Sequence, residues 1–153
     1  MIADRGRRLM ETAVIESGSG EMEAARRLLS EAGLPSDDIA DTGVMLWGLF
    51  DAGRLVAVVG LEREGGVGLL RSLAVAPAHR GGGLARQLCN LVFERARRAD
   101  IEALYLLSED AAAFFHPLGF AQIGRDQAPP EIAATQQFSS LCSRDAAFMR
   151  KRL

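Results

Sequence analysis

Arg80-Gly81-Gly82-Gly83-Leu84-Ala85 is the stretch on which the fold of this chain turns. It lies between an apolar run with strand character, residues 69–76, and an amphipathic run with helix character, residues 84–99. Three successive glycines at a strand-to-helix turn leave backbone N–H groups bare and aligned. The helix dipole adds partial positive charge at that end, so the spot suits a phosphate or diphosphate. A bound anionic cofactor is therefore the first expectation. A P-loop would close with Gly-Lys-Ser or Gly-Lys-Thr, and here Leu84 and Ala85 follow the third glycine. A dinucleotide fingerprint would open the first βαβ unit with spaced glycines, whereas this loop follows three runs that read as antiparallel strands. An ordinary tight turn without a ligand is the alternative.

Working outward, residues 12–16 form a short β-rich run closed by Ser17-Gly18-Ser19-Gly20. Met22, Ala25, Leu28, Leu29 and Ala32 then recur at helical spacing, with Glu21 and Glu23 in the first turn and Gly33 as the stop. Pro35-Ser36-Asp37-Asp38 predicts a cap for a second, short helix through Ala40. Residues 44–50 and 55–61 around Asp51-Ala52-Gly53 predict a hairpin, and Gly65-Gly66 a turn into the strand at 69–76. After the loop, Leu84, Leu88, Leu91, Val92 and Ala96 mark one face of a long helix. Residues 103–107 read as a buried strand, 109–117 as a short helix, Pro129-Pro130 as the opening of a helical turn, and 146–150 as a last strand. The order is β-α-α-β-β-β-α-β-α-β-β, an α/β chain with a mixed sheet, antiparallel in its first half and parallel at a crossover in its middle.

The bulk numbers bound the function. The 153 residues suit one domain, with residues 1–11 a frayed N-terminus and 12–153 the folded part. Hydrophobic content of 48% with 25% charged residues is globular composition, and a net charge of −2 provides no field for nucleic acid or an acidic membrane. No run approaches the roughly 20 apolar residues of a membrane helix. Arg5, Arg7 and Arg8 are followed by no apolar signal region. Two cysteines give no disulfide framework, which points to a cytoplasmic protein, and two histidines and two cysteines without ligand spacing give no metal site.

The segment Arg71-Ser72-Leu73-Ala74-Val75-Ala76-Pro77-Ala78-His79-Arg80-Gly81-Gly82-Gly83-Leu84-Ala85 resembles motif A of the GNAT acetyltransferases, whose signature is Arg-x-x-Gly-x-Gly/Ala. Phe114-Phe115-His116-Pro117-Leu118-Gly119-Phe120 is similar to that family's second cofactor segment, Phe-Tyr-x-x-Leu-Gly-Phe. The order of elements also matches the GNAT acyl-CoA N-acyltransferase fold. A narrower resemblance, to the bacterial arsenic-resistance N-acetyltransferases, rests on residues 70–75, on 125–132, and on Thr135, Phe138-Ser139-Ser140-Leu141-Cys142 and Met149-Arg150-Lys151.

The resemblance implies acetyl-CoA as co-substrate and a small-molecule amine as acceptor, with a homodimer left open. Backbone groups of Leu73, Ala74 and Val75 would pair with the pantetheine arm, and the amides of Arg80, Gly81, Gly82, Gly83, Leu84 and Ala85 would hold the diphosphate. Phe114 joins the cofactor residues by the same resemblance, although its own residue-level reading is core, like that of Phe120. Glycine at 81–83 removes Cβ atoms that would obstruct backbone approach to a diphosphate. The backbone N–H of Leu73 is the expected oxyanion donor.

One departure from the family stands out. Phe115 occupies the place of the tyrosine often credited with protonating the leaving thiolate, and phenylalanine donates no proton. A thiol of ordinary pKa about 8.5 is a tolerable leaving group without help. His116 is adjacent, but a helix-end histidine beside Pro117 is its plainer reading. Glu62 is the candidate general base, against the alternative of an exposed charge in Glu62-Arg63-Glu64. Arg71 and Ser72 are candidate substrate residues, expected to face opposite sides of their strand, with Arg71 suited to a bidentate grip on a carboxylate. Cys89 reads as packing, Cys142 as core or pocket wall, and Trp47 as core or cleft wall. The functions in contention are a small-molecule N-acetyltransferase, including one acting on an arsenic-containing amino acid, a protein N-acetyltransferase, and a non-catalytic acetyl-CoA-binding regulator.

Overall fold

The computed structural model describes residues 10–41, 43–141 and 144–153. Seven strands form one mixed sheet in the order β1-β2-β3-β4-β5-β7-β6: β1 Met10–Val14, β2 Val44–Asp51, β3 Arg54–Glu64, β4 Val67–Val75, β5 Ala103–Ser108, β6 Ala121–Ile123 and β7 Ala147–Arg152. The helices are α1 Gly20–Glu31, α2 Leu84–Arg98, α3 Ala112–Phe115 and α4 Pro130–Ala133. The mixed α/β architecture, antiparallel at β1–β2 and parallel at β4–β5, is the one the sequence pattern predicted.

The chain divides into two compact units. The first holds the residues up to Gly60 together with Ser72–Asn90; the second holds Leu61–Arg71 and Leu91–Leu153. In the first, Ser19 caps α1, its Oγ accepting from the Met22 N–H at 3.2 Å, with Glu21 and Glu23 on the positive end of the dipole. The helix stops at a left-handed Gly33 (φ 74°), where Leu34 N–H reaches Leu29 C=O and Gly33 N–H reaches Ser30 C=O. Those two bonds make a Schellman motif. Ala25 and Leu29 pack with Leu46, Val58 and Ala74 in this unit's core. The hairpin between β2 and β3 turns on Ala52 (φ 50°) and Gly53 (φ 80°), both left-handed as a tight two-residue turn requires.

In the second unit, β5 pairs antiparallel with β7 from Ala103↔Arg152 to Ser108↔Ala147, and β7 pairs with β6. Tyr105 stacks on Phe148 at 5.6 Å between ring centroids, and Phe138 meets Phe148 edge-on at 5.2 Å. Leu69 and Ile132 complete that core, both almost wholly buried.

Several expected boundaries moved. β1 opens at Met10 and ends at Val14, paired with Asp51 to Trp47 of β2. Residues 1–9, most of the expected frayed terminus, lie outside the described residues. The second helix expected through Ala40 is a turn, held by Asp41 N–H to Asp38 C=O. So short a stretch, rich in Asp and Ser, cannot repay helix nucleation. The helix expected at 109–117 begins only at Ala112, since Ser108 Oγ takes the Ala111 N–H at 2.9 Å, and continues as a tighter turn over His116–Leu118. The last strand runs two residues past Arg150, and a π-helical turn, Gln137–Leu141, stands where the tail looked irregular.

Candidate functional site

In the first unit, Pro77–His79 forms a single tight turn after β4. His79 N–H closes it onto Ala76 C=O at 2.8 Å. The chain then passes through Gly81 (φ 81°) and Gly83 (φ 83°), and Gln87 N–H bonds to Gly83 C=O at 3.0 Å as α2 begins. A Cβ at Gly81 or Gly83 would meet no atom within 4 Å, so these two glycines are required by backbone conformation, not by crowding. Gly82 has no such φ; its Cβ would lie 3.8 Å from the His79 carbonyl oxygen. Among the described residues, the N–H groups of Gly81 through Ala85 donate to no backbone carbonyl. Gly81, Gly82 and Gly83 are exposed and Leu84 is buried, anchoring the start of the helix while the loop faces solvent.

Two side chains hold this turn in place. Arg80 Nε donates to Val75 C=O at 3.1 Å. His79 Nε2 lies 3.3 Å from Oδ2 of Asp51, whose side chain is 9% exposed at the end of β2, while His79 Nδ1 is buried with no hydrogen-bond partner among the described residues. The Asp51–His79 contact was not legible beforehand, because those two residues come together only through the sheet.

The 72–75 segment of β4 belongs to the same unit. Ala76 N–H donates to Val56 C=O of β3 at 2.8 Å. Successive peptide groups of an extended strand point to opposite edges, so those of Leu73 and Val75 face away from β3. Of these, the Val75 carbonyl is the one engaged by Arg80. Ala74 is buried in the core, and Leu73 and Val75 are half-buried.

The expectation that Arg71 and Ser72 simply alternate in facing needs correction. Ser72 has φ 58°, a left-handed residue inside a strand, and regular alternation holds only for extended backbone. Such a residue is the backbone signature of a bulge and re-aims the residues after it. Ser72 is half-buried.

The second unit holds Glu62, Arg71 and Phe114. The ladder between β4 and β5 pairs Val67 with Ala103, Gly68 with Leu104 and Leu69 with Tyr105, while β5 continues to Ser108. Just past that ladder, Arg71 Nη1 donates to Glu62 Oε1 at 2.8 Å, with side chains 1% and 13% exposed. The candidate base and the candidate carboxylate grip are therefore bound to each other. Glu62 is no exposed charge at a strand end, since β3 runs on to Glu64. A sequence signal for the pair exists: a two-residue turn at Gly65-Gly66 sets Glu62 opposite Leu69, and Arg71 is then its diagonal neighbour on the same face. Burial, a hydrogen bond with Glu62, and the charges of Glu62 and Glu131 push the Glu64 carboxyl above its ordinary 4.5.

Phe114 is half-buried, which corrects its reading as core. It meets Phe115 edge-on at 5.0 Å. Phe115 and Phe120 are buried against each other at 5.7 Å, so position 115 serves packing. His116 is exposed. The Leu118-Gly119-Phe120 corner is fastened by Lys151, whose Nζ donates to Leu118 C=O at 2.9 Å and sits 4.9 Å from the centroid of the Phe93 ring. A Cβ on Gly119 (φ 101°) would meet that Nζ at 2.5 Å. Cys89 is fully buried, its thiol pushed up to about 12, which suits packing. Trp47 is 2% exposed, a core residue. Cys142 lies outside the described residues.

Residues 7–120, well over half of the chain, match the Acetyltransferase (GNAT) family. The chain belongs to the GNAT acetyltransferases. Solved structures share the fold at low identity. An acetyltransferase of the GNAT family from Staphylococcus aureus Mu50 superposes with TM-score 0.72 at 19% identity over 94% of this chain and 99% of that one. The PaiA N-acetyltransferase from Thermoplasma acidophilum, in complex with coenzyme A, gives 0.70 at 12% over 95% and 99%. N-acetylglutamate synthase from Neisseria gonorrhoeae, complexed with coenzyme A and N-acetyl-glutamate, gives 0.77 at 21% over 94% of this chain but only 35% of its own. This GNAT chain thus spans about a third of the Neisseria enzyme's length. No curated protein matches it. Among the described residues, no helix is long and apolar enough to cross a membrane.

Proposed function

We propose that this GNAT protein transfers an acetyl group from acetyl-CoA to the amine of a small molecule, an amino acid or close analogue. The observation that carries this is the glycine loop: donor-rich backbone at the start of α2, with Gly81 and Gly83 left-handed and exposed. Amides of Arg80, Gly81, Gly82, Gly83, Leu84 and Ala85 would hold the diphosphate. The outward-facing backbone of Leu73 and Val75, flanking Ala74, would pair with the pantetheine arm, and the family resemblance adds Phe114 to the cofactor residues. Coenzyme A in the Neisseria and Thermoplasma relatives supports the cofactor assignment.

Glu62 takes one proton from the acceptor ammonium. The free amine attacks the thioester carbonyl, a C–N bond forms, and the oxyanion is met by the Leu73 N–H. The C–S bond then breaks, and the second amine proton ends on the thiolate to give CoA thiol. With Phe115 buried in packing, the thiolate leaves without a side-chain acid at that position. Arg71 and Ser72 are assigned to the acceptor. An arsenic-containing amino acid is the particular acceptor suggested by residues 70–75 and 125–132.

The test is thiol release from acetyl-CoA with a panel of amino acids, arsenic and phosphorus amino-acid analogues, and peptides. Turnover of free amino acids or analogues supports the reading, and preference for an arsenical supports the narrower one. Turnover confined to peptides makes the protein a protein acetyltransferase. Tight acetyl-CoA binding without turnover makes it a regulator, which the buried Phe115 would suit.

A further inference from the structure

Two residues assigned separately, one to the acceptor's carboxylate and one to its amine, are joined in the structure: Arg71 Nη1 to Glu62 Oε1 at 2.8 Å. The Arg71 side chain is 1% exposed, and Glu62, at 13%, is the more accessible partner. A guanidinium that is to grip an incoming carboxylate therefore already holds an internal one. Geometry makes the two carboxylates interchangeable at Arg71, because a glutamate side chain presents the same planar oxygens as an amino acid's own carboxylate.

We propose, resting on the N-acetyltransferase reading, that the acceptor is recognised by carboxylate exchange: its carboxylate replaces that of Glu62 on Arg71, and the displaced Glu62 is the base that deprotonates the acceptor's amine. While Glu62 is bound to Arg71, its Oε1 is occupied by the guanidinium N–H. Once displaced, that oxygen is turned to the acceptor's ammonium and accepts its proton. Proton balance is kept: the ammonium loses one proton to Glu62, which passes it to solvent after the amide forms. The substrate class is then fixed. An acceptor with amine and carboxylate on one carbon triggers its own base, and an amine lacking the carboxylate leaves Glu62 locked on Arg71.

The exchange has a kinetic signature that a merely structural ion pair lacks. An internal competitor reduces apparent affinity for carboxylates, so neutralising it tightens binding while it slows the chemistry. Glu62→Gln keeps a hydrogen-bond acceptor for Arg71, and thermal melting checks that it folds. The probes are L-methionine, L-glutamate and L-phenylalanine, each beside its methyl ester and its decarboxylated amine, with acetyl-CoA. The parent protein should acetylate the free acids at least about 100-fold more efficiently than their esters or amines, as expected when a charged hydrogen-bond partner goes unmet. Glu62→Gln should lower kcat by about 100-fold or more. The same variant should lower KM for the free acids, and in calorimetry bind the N-acetylated product to its CoA complex about tenfold more tightly. Arg71→Lys should erase the preference for free acids. Weaker or unchanged product binding by Glu62→Gln overturns the exchange, as does equal use of esters and amines by the parent. Absence of turnover with every amine overturns the acetyltransferase reading as well, which separates the two failures.

Discussion

In its first half, residues 67–71, strand β4 is locked by neighbours: three residues pair with β5, and Arg71 is buried against Glu62. In its second half, residues 72–75, the strand opens on a left-handed Ser72, buries Ala74, and turns the peptide groups of Leu73 and Val75 away from β3. One strand thus supplies side-chain chemistry from one half and main-chain chemistry from the other. The division between the compact units falls between Arg71 and Ser72, at the residue whose backbone breaks the strand's regularity. A single φ in the αL region suffices to change what a strand offers, because it re-aims every peptide group beyond it.

The contrast breaks most visibly on the main-chain side. Gly83→Val forces a β-branched residue to φ near 83°, where it is a severe outlier, and acetyl-CoA affinity should fall by about 100-fold or more by calorimetry, since several backbone donors move together. Undiminished affinity would remove the loop from the cofactor site. On the side-chain side, Arg71→Met leaves Glu62 without its partner and should cost about 1.5–3 kcal/mol in urea unfolding. Acetyl-CoA affinity should hold within about twofold if the halves act independently. Ser72→Val tests the junction: a β-branched side chain at φ 58° should destabilise by about 1–2 kcal/mol and weaken acetyl-CoA as well, because it pulls 73–75 back toward regular strand.

The smallest effect concerns Glu64, behind Glu62. Its carboxyl is raised above the ordinary 4.5, so the folded state holds that proton more tightly than the unfolded chain. The contribution to stability is full below the ordinary value and is lost as pH rises through the folded value. Glu64→Gln should therefore be more stable than the parent at pH 7, by a few tenths of a kcal/mol, with the difference fading toward acid. Parallel stability curves across pH would show that Glu64 is insulated from Glu62 and Glu131.

Much of the fold was legible. The turn formers at Asp51-Ala52-Gly53 and Gly65-Gly66, the Ser19 cap, the Gly33 stop and the spacing of Leu84, Leu88 and Val92 each act through local chemistry, and each lies in the element expected. The misplaced second helix at 35–40 shows the limit of the same rules: cap residues were present, but the segment after them was too short to propagate. The glycine loop was legible because only glycine is at ease at the φ of Gly81 and Gly83. Arg71 and Glu62 were each suspected from residue type, yet their union required the β3–β4 register. The Asp51–His79 contact and the Lys151 tie to Leu118 had no local signal, since each joins residues distant in sequence.

By itself, then, the sequence determined most of the elements, the turns between them and the phosphate-suited loop. Those are properties of residue type and short spacing. Tertiary structure alone decided that Ser72 is left-handed, that Leu73 and Val75 present their peptide groups away from β3, and that Glu62 closes on Arg71. Backbone direction and partner choice are set by packing and strand register, to which no single side chain testifies.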